Sequence, residues 1–234
     1  LSWTLDTCGP LTWTVADAAL MLQTIAGHDP RDPSTSSKPV PDFSGQLHAG
    51  VDGMRIGVAR HFYESDATAS DETVAAMNTA IETLQSLGAK IVEVELPPLA
   101  DYQACTRVII VSEAFAIHQH DLLSRPDLYA AVTRYRIMPG ALVTAAQYSN
   151  ALRFQRVLAQ RTVQVLHGLD ALITATTYGP APVQALMRAE ANFSNPPLTN
   201  PFNAAPLPAL SLCNGFSTEG LPLAMQIVGH PFDE

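Results

Sequence analysis

The 234 residues are 47% hydrophobic and 15% charged, a composition that fits a globular chain with a sizeable core and does not fit a disordered or fibrous one. A formal net charge of -9, with Lys38 and Lys90 as the only lysines, argues against direct binding to nucleic acid or to anionic membranes, because a polyanion is repelled. Cys8, Cys105 and Cys213 are far apart and form no CxxC pair, so they imply neither zinc nor a disulfide framework and fit a reducing, cytoplasmic setting. No apolar run reaches the roughly 18 residues of a membrane span.

In chain order, Thr14 is a good N-cap, with Asp17 at the positive end of the helix dipole. Val15, Ala18, Ala19, Leu22 and Ile25 then share a face, which predicts a helix over 14–27 that stops at Gly27. A proline-rich loop follows, from His28 to Pro41. Met54 to Arg60 reads as a strand. Ser70 caps a helix over 71–87 that ends at Gly88, and Lys90 to Leu96 reads as a second strand. This strand–helix–strand phrase predicts an α/β fold, a mixed and mostly parallel sheet covered by helices. Residues 102–168 are predicted helical, broken at Pro126 and at Pro139-Gly140, with Arg153, Arg156 and Arg161 on the last long helix. Ala171 to Thr174 reads as a short buried strand. The stretch from Tyr178 to Pro208 is rich in proline and reads as irregular except for a short helix near Val183 to Ala191; long irregular stretches often line a site. Strands over 209–213 and 222–228, joined by the turn 217–220, close the chain.

Several constellations invite a chemical reading. His118 and His120 lie two apart on a helix and point about 200° from each other, so they cannot share one metal ion. Glu93 and Glu95 alternate with Val92 and Val94, which puts both carboxylates on the water side of a strand. Ser34, Ser36 and Ser37 stand near Lys38, but a lysine works as a base only when burial lowers its pKa, and this loop is polar. No GxSxG elbow, glycine-rich nucleotide loop or HExxH occurs. The residues alone therefore predict no metal, no cofactor and no visible catalytic centre.

Three phrases, taken together, carry a family resemblance. The first runs Ser2-Trp3-Thr4-Leu5-Asp6-Thr7-Cys8-Gly9-Pro10-Leu11 through Thr14-Val15-Ala16-Asp17 to Ala26-Gly27-His28-Asp29-Pro30-Arg31-Asp32. The second is Asp170-Ala171-Leu172-Ile173-Thr174-Ala175-Thr176-Thr177. The third joins Thr199-Asn200-Pro201-Phe202-Asn203 and Pro208-Ala209-Leu210-Ser211 to Gly220-Leu221-Pro222-Leu223-Ala224-Met225-Gln226-Ile227-Val228-Gly229. In this order they resemble the amidase-signature family over nearly the whole chain, although Pro206 and Ala224 stand where glycine is usual, and Ala175 and Cys213 where proline is common. Asn203 and Gln226 are amides able to tie irregular backbone to a sheet edge.

The resemblance implies a parent enzyme in which a serine attacks an amide carbonyl, a second serine on a cis peptide relays its proton to a neutral lysine, and backbone N–H groups hold the oxyanion. Those three side chains belong to segments that precede the phrase beginning at Ser2, and no serine or lysine of this chain fits their motifs, so no catalytic residue is assigned. With an opening that lacks methionine and an abrupt close at Pro231 to Glu234, residues 1–234 read as one α/β domain, a portion of a larger amidase domain cut at both ends. The resemblance implies that this portion lines the pocket for a small-molecule amide substrate. Arg136, in a segment similar to the family's "RRIxxG", and Thr176, Thr199 and Asn200 are the expected substrate-contacting residues; an exposed arginine and ordinary loop caps are the competing reading. The amidase subunit of a tRNA-dependent amidotransferase and a non-catalytic binding or assembly domain are the alternative functions. Asn195-Pro196-Pro197, where glutamine-using relatives tend to carry an acidic residue, favours a general amidase. Half of a continuous core would leave apolar surface exposed, so self-association is expected.

Overall fold

A computed structural model describes residues 1–184 and 196–234, and every element below belongs to these. By its contacts the chain divides into two compact units: Thr7–Asp52, and Leu1–Asp6 together with Gly53–Glu234.

The smaller unit holds α1 (Val15–Ile25), capped as expected by the Thr14 side chain, which accepts from the Asp17 N–H at 3.1 Å. The proline-rich loop after it is ordered by short-range bonds to aspartates. The Ser34 N–H donates to Asp32 Oδ1 and the Ser44 N–H to Asp42 Oδ1, both at 2.9 Å, the Asx pattern that lets a polar side chain replace a backbone partner in a turn.

The larger unit is built on a five-stranded sheet. Its strands are β1 (Arg55–Val58), β2 (Lys90–Glu93), β3 (Ala171–Ala175), β4 (Ala209–Phe216) and β5 (Pro222–Val228), in the order β2-β1-β3-β5-β4. β1 pairs parallel with β2 and β3, whereas β5 pairs antiparallel with β3 and β4. The sheet is mixed, with parallel and antiparallel ladders in equal number. The connections explain this: the tight turn after β4 can only send the chain back antiparallel, whereas β1 and β2 are joined through a helical crossover. Ile56, Val58, Leu172, Ile173 and Ala175 are buried, as central strands require.

That crossover is α3 (Asp71–Ser86), capped by Ser70 and closed by Gly88, whose φ of +96° a side chain would strain. A one-turn helix, α2 (His61–Glu64), precedes it; four residues are too few to show a helical period in the sequence. The helical middle comprises α4 (Leu99–Ser124), α5 (Ala131–Ile137) and α6 (Ala145–Leu166), separated by 3₁₀ turns at Pro126–Leu128 and Met138–Leu142. The breaks fall at Pro126 and Pro139-Gly140, as the sequence predicts. α6 starts on a full capping box between Thr144 and Gln147. α4 and α6 are pinned to each other where Tyr102 Oη and Thr162 Oγ1 meet at 2.6 Å inside the core.

One helix lies where irregular chain is predicted: α7 (Asn200–Ala204), with Pro201 in its first turn, where the missing N–H costs nothing. The helix expected near Val183 to Ala191 falls, from residue 185 onward, outside the described residues. Among the described residues, no helix is long and apolar enough to cross a membrane.

Candidate substrate-pocket wall

The segments that carry the last two family-like phrases converge on one buried side chain. Gln226, on β5, donates from Nε2 to the Ala175 carbonyl at 2.9 Å and to the Leu198 carbonyl at 3.0 Å. Ala175 ends β3, and Leu198 lies in the loop that leads into α7. Two of the expected site residues, Thr176 and Thr199, immediately follow these two acceptors.

The side chains around this junction bear hydroxyl groups. Thr176 donates its N–H to the Ala224 carbonyl at 2.9 Å, and its Oγ1 lies 3.0 Å from Ser211 Oγ on β4. Strand pairing places Ser211 opposite Gln226 and Cys213 opposite Ala224, so these four side chains share one face of the sheet. Thr176 is half-buried, whereas Thr199, Ser211 and Cys213 are exposed. The loop is held from below as well. The Tyr178 hydroxyl donates to the Pro196 carbonyl. Burial pushes the Tyr178 phenol up to about 12, so it remains a donor at neutral pH.

Asn200 and Arg136 are placed differently. The Asn200 amide donates to Thr106 Oγ1 on α4 at 2.8 Å, which makes it an anchor of the loop. Arg136 is exposed, in the last turn of α5. Its segment rests on α4 through Gly140: a Cβ there would come within 2.0 Å of the Val111 carbonyl oxygen and 2.6 Å of Phe115 Cβ. Val111 is five residues from Thr106, about 7.5 Å along the helix axis. α4 is therefore the common base for the Arg136 segment and for the Asn200 anchor. Asn203 ties irregular backbone as expected, but to the Leu5 carbonyl at 3.0 Å.

Sequence reasoning missed Glu113. This half-buried carboxylate on α4 accepts from Ser2 Oγ at 2.5 Å, Thr4 Oγ1 at 2.9 Å and Tyr148 Oη at 2.8 Å. Burial raises its pKa, but these hydrogen bonds outweigh burial and hold the carboxyl below the usual glutamate range. A single glutamate inside a helical run gives no signal of such a role, because its partners are remote in sequence.

The remaining candidates are local. Lys38 and Lys90 are both exposed, and Ser36 Oγ accepts from the Lys38 backbone N–H at 3.2 Å. His118 Nδ1 lies 3.0 Å from the Tyr129 hydroxyl, while His120 Nδ1 lies 3.2 Å from Asp121, so the two imidazoles serve separate partners. Glu93 faces solvent and pairs with Arg60 at 2.9 Å. A shallow groove of about 400 Å³, lined by Glu95, Leu96, Pro97, Arg161, Gln164 and Val165, contains none of the expected site residues.

A mixed five-stranded sheet flanked by helices defines an α/β fold of the amidase-signature type. The chain belongs to the amidase family, whose model, "Amidase", matches residues 1–234. It is 36% identical to an amidase of Pseudomonas putida over 100% of this chain and 51% of the relative. It is 35% identical to the A subunit of a glutamyl-tRNA(Gln) amidotransferase from Granulibacter bethesdensis, over 98% of this chain and 51% of that one. Among solved structures, the A subunit of the glutamyl-tRNA(Gln) amidotransferase from Thermotoga maritima superposes with a TM-score of 0.81 at 30% identity, covering 99% of this chain and 50% of that chain. A protein of a vestigial complex linked to the origins of an s-triazine catabolic enzyme gives a TM-score of 0.85 at 28% identity, over 100% of this chain and 51% of the other. The chain thus spans about half the length of the relatives it matches.

Proposed function

We propose that residues 1–234 supply the substrate-pocket wall and scaffold of an amide hydrolase acting on linear carbon–nitrogen amide bonds of a small molecule, and that the two units belong to one amidase domain. In this reading the attacking serine, the relaying serine and the lysine come from a preceding segment. The observation that carries it is the junction at Gln226, which brings the strand end bearing Thr176 and the loop bearing Thr199 to one place. Thr176 and Thr199 then contact the substrate, Arg136 meets its polar end, and Asn200 holds the loop that presents them. A wall held by buried hydrogen bonds is positioned before the substrate arrives, so little binding energy is lost in ordering it. The exposed lysines support the assignment of the base elsewhere, since a neutral lysine base needs burial.

The test compares this chain alone with the same chain joined to the segment encoded upstream. The chain alone is expected to be inert towards simple amides, and the joined protein to hydrolyse them with loss on treatment with a serine-reactive inhibitor. Inhibitor-sensitive turnover by residues 1–234 alone would refute the proposal.

A second reading, the amidase subunit of a tRNA-dependent amidotransferase, is favoured by the relatives of that name. It predicts that the joined protein releases ammonia from glutamine and does so faster with its partner subunit present. A joined protein with neither activity would leave the binding or assembly domain as the remaining reading.

A further inference from the structure

We infer that Gln226 is the positioning residue of the pocket wall, setting the distance between Thr176 and Thr199; the inference rests on the pocket-wall reading above. The side chain is 2% exposed, and its two amide protons go to carbonyls from separate segments, at 2.9 and 3.0 Å. The two N–H bonds of one amide diverge by about 120°, so near-linear hydrogen bonds hold the acceptor oxygens roughly 5 Å apart. Each acceptor belongs to the residue just before a wall threonine. The spacing of the two threonines is therefore coupled to the geometry of one planar group.

The surrounding bonds make this control local. The loop is also tied at Pro196, by the Tyr178 hydroxyl, and at Asn200, by Thr106. Gln226 acts between these ties, at Leu198. Without its amide the loop stays attached, but two carbonyls lose their donor in a site with little access to water. The backbone then shifts to find new partners, and Thr199 moves with it. Few side chains can replace it. Glutamate lacks the donors, methionine has neither donor nor acceptor of strength, and asparagine is one methylene too short to reach both oxygens.

The experiment uses Gln226→Met and Gln226→Asn, with Thr174→Val as the control. Thr174, the register partner of Gln226 on β3, is also fully buried, but its hydroxyl donates to the Ala59 carbonyl at 3.1 Å and not to Ala175 or Leu198, so it tests burial at the same place without the two amide bonds. Amide hydrogen exchange is followed over residues 196–204 in this chain, and KM and kcat are measured on a simple amide in the protein joined to its upstream segment. Q226M is expected to speed exchange at Asn200 and Phe202, whose N–H groups donate to the Pro197 and Thr199 carbonyls on either side of Leu198, by about tenfold and to raise KM by about tenfold with a smaller change in kcat. Q226N is expected to fall between Q226M and the parent, and it carries the same comparison if Q226M does not fold. T174V is expected to lower stability and leave both readouts near the parent values. Parent-like exchange and KM in the Gln226 variants, or equal changes in T174V, would overturn the inference. An inactive parent protein would instead remove the pocket-wall reading, and the exchange data would still decide whether Gln226 holds the loop.

Discussion

Asn200 and Thr106, ninety-four residues apart in sequence, are joined by a hydrogen bond of 2.8 Å from the amide of one to the hydroxyl of the other. Thr106 passes its own proton to the Tyr102 carbonyl at 2.8 Å, so the loop hangs from the first turns of α4 through a single relay. Thr106→Val keeps the shape of the side chain and removes the acceptor. A double-mutant cycle with Asn200→Ala is expected to give a coupling energy of about 1 kcal/mol in urea unfolding. Additive losses would mean that the bond contributes nothing.

Gly140 is where the 3₁₀ turn that follows α5 and Arg136 meets α4. An added methyl would collide with a main-chain oxygen, which cannot move aside as the end of a flexible side chain can. Gly140→Ala is expected to cost about 3 kcal/mol, read as a fall in the urea midpoint without a change of slope. A loss under about 0.5 kcal/mol, the range of ordinary surface changes, would contradict the packing described.

The Glu113 cluster makes stability depend on pH. Its carboxyl is held below the ordinary value of 4.5, so the folded state binds a proton less readily than the unfolded chain. The stabilisation is fully present above that ordinary value and is lost as pH falls through the lower folded value. Glu113→Gln is expected to lower the urea midpoint at pH 7 and to make the drop from pH 5 to pH 3 shallower than in the parent. Other carboxylates titrate in the same range, so the difference between the two proteins is the measurement. Parallel pH curves would show that Glu113 is not responsible.

The cysteines should separate by reactivity. Cys8 and Cys213 are exposed, whereas Cys105 is buried and its thiol is pushed up by that burial. In a disulfide-exchange assay on folded protein, two thiols are expected to react promptly and the third only on unfolding. Prompt reaction of all three would show that the α4 core opens readily.

Leu11 and Trp13 are 97% and 98% exposed, and Phe216 on β4 is 70% exposed. Aromatic and aliphatic surface left uncovered in this way favours association. Sedimentation velocity at micromolar concentration is expected to show species larger than a monomer that diminish on dilution. A single monomer across the range would show that these side chains are tolerated in water.

The local architecture is legible in the sequence because local physics decides it. The Thr14 and Ser70 caps, the stop at Gly88 and the breaks at Pro126 and Pro139-Gly140 each follow from one residue's backbone chemistry, and each stands where the sequence predicts it. The three phrases likewise place the chain in its family, and two of them contain Thr176, Thr199 and Gln226 itself, although Leu198, the second acceptor of the Gln226 amide, stands just outside them. α2 and α7 are not legible, being too short for a period to develop, and the balance of parallel and antiparallel ladders depends on pairings between distant strands. Only the tertiary structure could show that Asn200 is an anchor on Thr106, that Thr176 shares a hydroxyl pair with Ser211, and that Glu113 gathers Ser2, Thr4 and Tyr148. A hydrogen bond is specified by distance and direction, and when its partners lie tens of residues apart that geometry exists only once the chain has folded.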